Sequence, residues 1–186
     1  ISAVTMTFGN LAAIPQENVK RLLAYSSIAH AGYLLMGVAC FSDRGNEAVY
    51  FYFVAYLIMN LGAFLIVQII GNRLGGEALS LYKGLGRSGA CGAALGIAMT
   101  IFLLSLTGVP PFIGFIGKFY IFSAVIDARL YWLAMIGIIN SVISLYYYMR
   151  IVKAMFFDEA AEQTRITADA KSLSLAAALL AFLTVT

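Results

Sequence analysis

The sequence predicts an all-α membrane protein, a polytopic bundle of transmembrane helices in which one helix is discontinuous. Three observations carry this. Hydrophobic residues make up 62% of the chain against 11% charged, and mean hydropathy is +0.90; a soluble domain carries about 25% charged residues. The apolar residues fall in runs far too long for strands, and a helix satisfies its own backbone groups in lipid. One run is interrupted by glycine and proline near its middle.

The runs are 1–14, 22–41, 48–70, 89–126, 130–149 and 172–186. The first and last fall short of the ~20 residues a crossing needs. They read as partial spans, and residues 1–186 as one membrane domain from a larger polytopic subunit. Runs 22–41, 48–70 and 130–149 each fit one crossing. Run 89–126 would make a straight helix about 57 Å long, nearly twice a ~30 Å hydrocarbon core. The distribution of cations decides between one crossing and two. With one crossing, Lys20, Arg21, Arg73, Lys83, Arg87, Arg150, Lys153, Arg165 and Lys171 share a side, and only Arg44 and Arg129 face the other. With two crossings that bias nearly vanishes. A single crossing is therefore expected, broken near 108–117. There Pro110 and Pro111 lack N–H donors, and Gly108, Gly114 and Gly117 let the backbone bend or neighbours approach.

The break adjoins the most informative residue. Lys118 is the only charge in 110-PPFIGFIGKFYIFSAVI-126. It lies about nine residues before Asp127, or ~13 Å along a helix. A charge at mid-bilayer costs about 2.5–3.5 kcal/mol on insertion scales, which makes such a residue a functional candidate. Burial disfavours the charged form of an amine, so a buried lysine can exchange a proton. The plainer reading is a lysine that snorkels to the interface; depth and the adjacent break count against it. His30, in 22-LLAYSSIAHAGYLLMGV-38, is also near mid-depth, and histidine can relay protons. Ser26 shares its helix face, and Ser27 and Tyr33 add polar groups. A neutral histidine bonded to a neighbouring helix fits equally well. Tyr56 and Asn60 share a face of 48–70, where Asn60 would hold a water chain or act as helix–helix glue. The tyrosines at 146–148 precede Arg150 and read as an interfacial aromatic belt without chemistry. Lys20 and Arg21 read as anchors at a membrane edge.

Other functions lack residues. The carboxylates Glu17, Asp43, Glu47, Glu77, Asp127, Asp158, Glu159, Glu162 and Asp169 all fall in predicted loops or at span ends. The net charge of +3 sits in short loops and reflects topology, not nucleic-acid binding. Cys40 and Cys91 are isolated in apolar runs and read as small buried hydrophobes. No phosphate-cradling loop, nucleotide fingerprint or catalytic triad occurs, and no Cys or His cluster would hold zinc, haem or an iron–sulfur centre. No cofactor or metal site is expected in this chain; movement of ions or protons within a lipid bilayer is what the residues support.

Two stretches, 9-GNLAAIPQENVKRLLAYSSIAHAGYLLMG-37 and 104-LSLTGVPPFIGFIGKFYIF-122, resemble the antiporter-like membrane subunits of the proton-pumping NADH:quinone oxidoreductase, respiratory complex I. They match the family patterns N-[VI]-KR-[LM]-L-x-YSS-I-x-x-x-GY and L-[AT]-G-[VI]-P-P-x-x-GF-x-GKF almost residue for residue. The lysine of GKF, with 81-LYKGLGR-87 and 145-LYYYMRIV-152, narrows the resemblance to one branch of these subunits. The resemblance implies a C-terminal part of a fourteen-span subunit, covering roughly its ninth to fourteenth helices. It implies that Lys118 is the lysine on the exit side of a proton half-channel. The family's further glutamate and lysines would lie upstream of Ile1. In sister subunits the positions matching Tyr56 and Asn60 carry His and Lys; here both are neutral, so water and Ser or Tyr hydroxyls would bridge more of the axis. NADH, FMN, iron–sulfur clusters and quinone would be handled by other subunits. The partners would be neighbouring membrane subunits in a bacterial inner membrane or an energy-transducing organelle membrane. Two alternatives stay open: a subunit of a secondary cation/proton antiporter, and a structural scaffold in which Lys118 pairs with a neighbour's carboxylate.

Overall fold

A computed structural model describes residues 1–159, which form six α-helices: α1 Ser2–Ala13, α2 Val19–Val38, α3 Asp43–Leu74, α4 Ala90–Thr107, α5 Ile113–Asp127 and α6 Tyr131–Phe156. The expected span at 172–186, with Arg165, Lys171, Glu162 and Asp169, lies outside the described residues. Local signals set the ends. The Asn18 side chain accepts from the Arg21 amide at 2.9 Å and Ser42 Oγ from the Gly45 amide at 3.1 Å, capping α2 and α3 as short polar side chains do. Gly75, at φ 74°, closes α3 in the left-handed conformation that suits glycine.

By length and apolar composition, α3, α4 and α6 can each cross a membrane. Helix α5, with 15 residues, is about 22 Å long and too short to do so alone. Helices α1, α2 and α3 pack antiparallel in turn. Ser2 Oγ donates to Gly32 O at 2.7 Å, Gly9 lies against Tyr25 and Ala29, and Gly37 lies against Gly45 and Val49. Helix α6 runs parallel to α1, joined by contacts from Thr7 to Asn140, Asn10 to Tyr147 and the Ile14 carbonyl to Arg150.

The register along α3 shows how the long apolar run is accommodated. Descending α3, Gly62 meets Phe102, Met59 meets both Ser105 and Gly114, Tyr52 meets Gly117, Phe51 meets Tyr120, and Arg44 pairs with Asp127. Helices α4 and α5 therefore follow one another along α3 in the same direction. A hairpin that turned back would meet α3 in the reverse order. The two halves overlap at Met59, where residues nine apart in sequence sit at one level. That overlap removes ~13 Å of helical rise, so the interrupted helix is much shorter than a straight one. The interruption is also shorter than the Gly/Pro-rich stretch. Residues 108–112 are non-helical, with a cis Pro110–Pro111 bond, whereas Gly114 and Gly117 are helical. A Cβ on Gly114 would stand 1.8 Å from Ser105 O, and one on Gly117 would stand 2.7 Å from the Tyr52 ring. These glycines admit neighbours; they do not bend the chain.

The cations sort as the single crossing requires. One end of the bundle is tied by backbone bonds between Val19 and Glu77 and between Leu79 and Glu17. Lys20–Glu77, Arg87–Asp158 O and Arg150–Ile14 O add side-chain links there. Arg44 and Asp127 pair at the other end.

Candidate functional site

Two polar centres occupy the interior. The first is built by the break. Lys118 sits in the second turn of α5, only 4% exposed. Its ammonium donates to Thr107 O at 2.7 Å and to Ser141 Oγ at 3.0 Å, and Ser141 Oγ itself donates to Thr107 O at 2.9 Å. Thr107 is the last residue of α4, so its carbonyl is among those an α-helix leaves without an intrahelical partner. It also lies at the negative end of the helix dipole, where a cation is favoured. A hydrogen bond to a charged group contributes about 1.5–3 kcal/mol. Two such bonds therefore offset the insertion cost of about 2.5–3.5 kcal/mol. The Tyr33 ring centroid lies 4.7 Å from Nζ, adding a cation–π contact. Gly108, at φ 87°, keeps the turn open: a Cβ there would stand 2.8 Å from Lys118 Cδ. Ser105 Oγ accepts from the Gly114 amide at 3.2 Å, so α4 also caps the start of α5.

The second centre lies among unbroken helices. His30, 2% exposed on α2, has both ring nitrogens against phenols: Nδ1 is 2.6 Å from Tyr52 Oη and Nε2 is 3.3 Å from Tyr148 Oη. Tyr148 Oη also bonds Ser26 Oγ. A neutral imidazole has one donor and one acceptor nitrogen. One phenol therefore donates to the ring and the other accepts from it, and shifting the ring proton between nitrogens reverses both. This arrangement can pass a proton across the ring without a net charge at rest. Tyr33 links the centres: its ring is 6.0 Å from that of His30 and faces Lys118, while its hydroxyl donates to Gly137 O at 2.8 Å. A third group adjoins them. Tyr147 Oη donates to Asn10 Oδ1 at 2.8 Å, and Asn10 Nδ2 donates to Asn140 Oδ1 at 2.9 Å.

The structure brings Lys118, His30 and Ser26 into this interior. Tyr56 joins through its ring, stacked on His30 at 5.0 Å, with its hydroxyl towards Ser27. Ser27 bonds back to Leu23 O, and Asn60, half-buried, makes no side-chain hydrogen bond among the described residues. The belt reading of 146–148 needs correction. Tyr146 is 60% exposed and fits it, but Tyr147 and Tyr148 are fully buried. Consecutive helical residues step by about 100° around the axis, so all three cannot face lipid. Sequence reasoning also missed Tyr52, Asn10, Ser141 and the Thr107 carbonyl. The Asn140–Ser141 pair, polar in mid-span, was the available signal. Cys40 and Cys91 are free thiols, half-buried rather than core. Among the described residues no group of three or more His, Cys, Asp or Glu could hold a metal ion.

Residues 1–144 match the family described as NADH:quinone oxidoreductase/Mrp antiporter, TM. The NADH-quinone oxidoreductase subunit N of Anaeromyxobacter sp. is 52% identical over 165 residues, covering 85% of this chain and 31% of that protein. Subunit N 2 of Chloroherpeton thalassium is 48% identical over 98% of this chain and 35% of its own length. The chain thus spans about a third of the length of the curated relatives it matches. A chain of respiratory complex I from Thermus thermophilus superposes with a TM-score of 0.82 at 30% identity, covering 99% of this chain and 41% of that one. A chain of the Mrp complex from Dietzia sp. superposes at 0.88 with 24% identity, covering 100% and 42%, a likeness of fold. This chain is an integral membrane protein and belongs to the NADH:quinone oxidoreductase/Mrp antiporter transmembrane family.

Proposed function

We propose that the full-length protein is subunit N of a proton-translocating NADH:quinone oxidoreductase, with Lys118 as a proton relay. The observation that carries this is the ammonium cradle at the break, in which a buried lysine is held by a helix-end carbonyl and a hydroxyl. Those partners are neutral, so the amine can lose its proton without leaving a buried carboxylate behind. Among the described residues no carboxylate sits at Lys118; the scaffold reading, in which a neighbouring subunit supplies one, predicts instead that neutralising Lys118 prevents assembly.

In this reading NADH, FMN, iron–sulfur clusters and quinone belong to other subunits, and quinone reduction there moves charge along the polar axis. An approaching positive charge favours release from Lys118, and its retreat favours reloading, by Coulomb interaction at low dielectric. His30, bracketed by Tyr52 and Tyr148, hands protons along the half nearer the basic end. Release is to the less basic side, marked by Arg44 and Asp127. The neighbouring antiporter-like subunits of the assembly, in a bacterial inner membrane, are the partners.

The antiporter reading shares the fold. The two separate in vesicles carrying the full-length protein in its native assembly. Proton uptake that requires both NADH and quinone supports the oxidoreductase reading. Sodium-driven proton exchange with no quinone requirement overturns it in favour of the antiporter.

A further inference from the structure

At the basic end of the bundle, the segment after α3 and the last turns of α6 enclose a cleft of about 310 Å³. Lys83 comes from the connecting segment, and Arg150 and Lys153 come from α6; Ser80 adds a hydroxyl, and Glu17 and Asp158 also line it. The Arg150 guanidinium is fixed by its bond to Ile14 O. Lys83 and Lys153 are exposed and form no ion pair among the described residues.

Depth narrows the ligand. Helix α6 has 26 residues, or about 39 Å, against a hydrocarbon core of ~30 Å. Its exposed aromatics lie at Tyr131 and Trp132 near one end and at Tyr146 towards the other, as interfacial residues do. Arg150 and Lys153 follow Tyr146 by one and two turns, which puts the cleft in the headgroup layer. This is also the cation-rich end, which faces the cytoplasm by the positive-inside rule, where the anionic lipids reside.

We propose that this cleft binds the phosphate of an anionic phospholipid headgroup, with Lys83 and Lys153 as the exchangeable contacts and Arg150 as the fixed one. The shared chemistry is a phosphate oxyanion; headgroup depth selects the lipid over free phosphate.

The test uses the assembled complex in phosphatidylcholine vesicles containing a photoactivatable phosphatidylglycerol. The expected result is cross-linking to peptides around 78–87 and 150–158, competed by unlabelled phosphatidylglycerol and not by phosphatidylcholine. A surface cation near anionic lipid changes affinity about fivefold, so the Lys83→Gln/Lys153→Gln variant should lose labelling about twenty-five-fold while other sites keep theirs. Unchanged labelling in that variant, or equal competition by phosphatidylcholine, overturns the proposal. Displacement by inorganic phosphate and not by phosphatidylglycerol overturns the lipid assignment in favour of a soluble phosphate.

Discussion

The Lys118 centre and the His30 centre solve the same problem, a titratable group buried in a membrane bundle, by opposite means. At Lys118 the backbone itself is opened. A helix ends, its terminal carbonyl turns to the amine, and a second helix starts beside it. At His30 the helices α2, α3 and α6 run unbroken and side-chain hydroxyls do the solvating. An ammonium brings three donors and a charge, whereas a neutral imidazole needs one donor and one acceptor. In an intact helix the interior carbonyls are already engaged, so a cation in its midst lacks strong acceptors. A helix end supplies them together with a favourable dipole. The break is thus the structural cost of hosting a charge, and its absence at His30 marks a group at ease when neutral.

The Lys118 centre is most vulnerable at Gly114. A methyl there meets a backbone carbonyl that cannot move independently. Gly114→Ala should separate α4 from α5 and abolish stable assembly, as read by the yield of intact complex on a native gel. Overpacking of this kind costs ~1–3 kcal/mol or more. Next is Gly108→Ala. It places a side chain in the left-handed region, at about 1–2 kcal/mol, and crowds the Lys118 stem. Assembly should survive with reduced proton pumping. If pumping is untouched, the cradle geometry is not needed.

Tyr148→Phe probes the other centre. It removes the hydroxyl shared by His30 and Ser26 and should lower thermal stability by about 1–3 kcal/mol through the unsatisfied partners. It should also slow coupled turnover without preventing assembly. Asn60→Ala should be close to silent in both assays, since Asn60 makes no side-chain bond among the described residues. A strong pumping defect in that variant would return it to the proton path.

These centres were unequally readable beforehand. Lys118 and its break stand out because a lone charge and a Gly/Pro cluster are anomalies in an apolar run, visible without any neighbour. The single crossing followed from the cation bias alone. Tyr148 carried no such mark: a tyrosine near a span end suits either lipid or interior, and only the face packed against α2 decides. The key acceptor of Lys118 is a backbone carbonyl, which every residue owns, so no composition or spacing could single out Thr107. Tyr52 and Asn10 were hidden for a related reason, since their roles depend on cross-helix register.

The smallest expected effect lies at the basic end. The Lys20 ammonium holds the exposed Glu77 carboxyl below its usual range. Its contribution to stability is present above that usual value and is lost as the pH falls through the lowered one. Glu77→Gln should therefore flatten the acid side of a thermal-stability profile, with a small loss at neutral pH and none at pH below the lowered value.

The most direct test is Lys118→Met in the full-length, assembled complex, with assembly and protons pumped per electron measured on one preparation. Methionine keeps the length of the side chain and removes the exchangeable proton. The relay account predicts a complex that assembles, and pumping that is lost or sharply reduced. Normal pumping in an intact complex would contradict it, and failure to assemble would instead make Lys118 a structural charge.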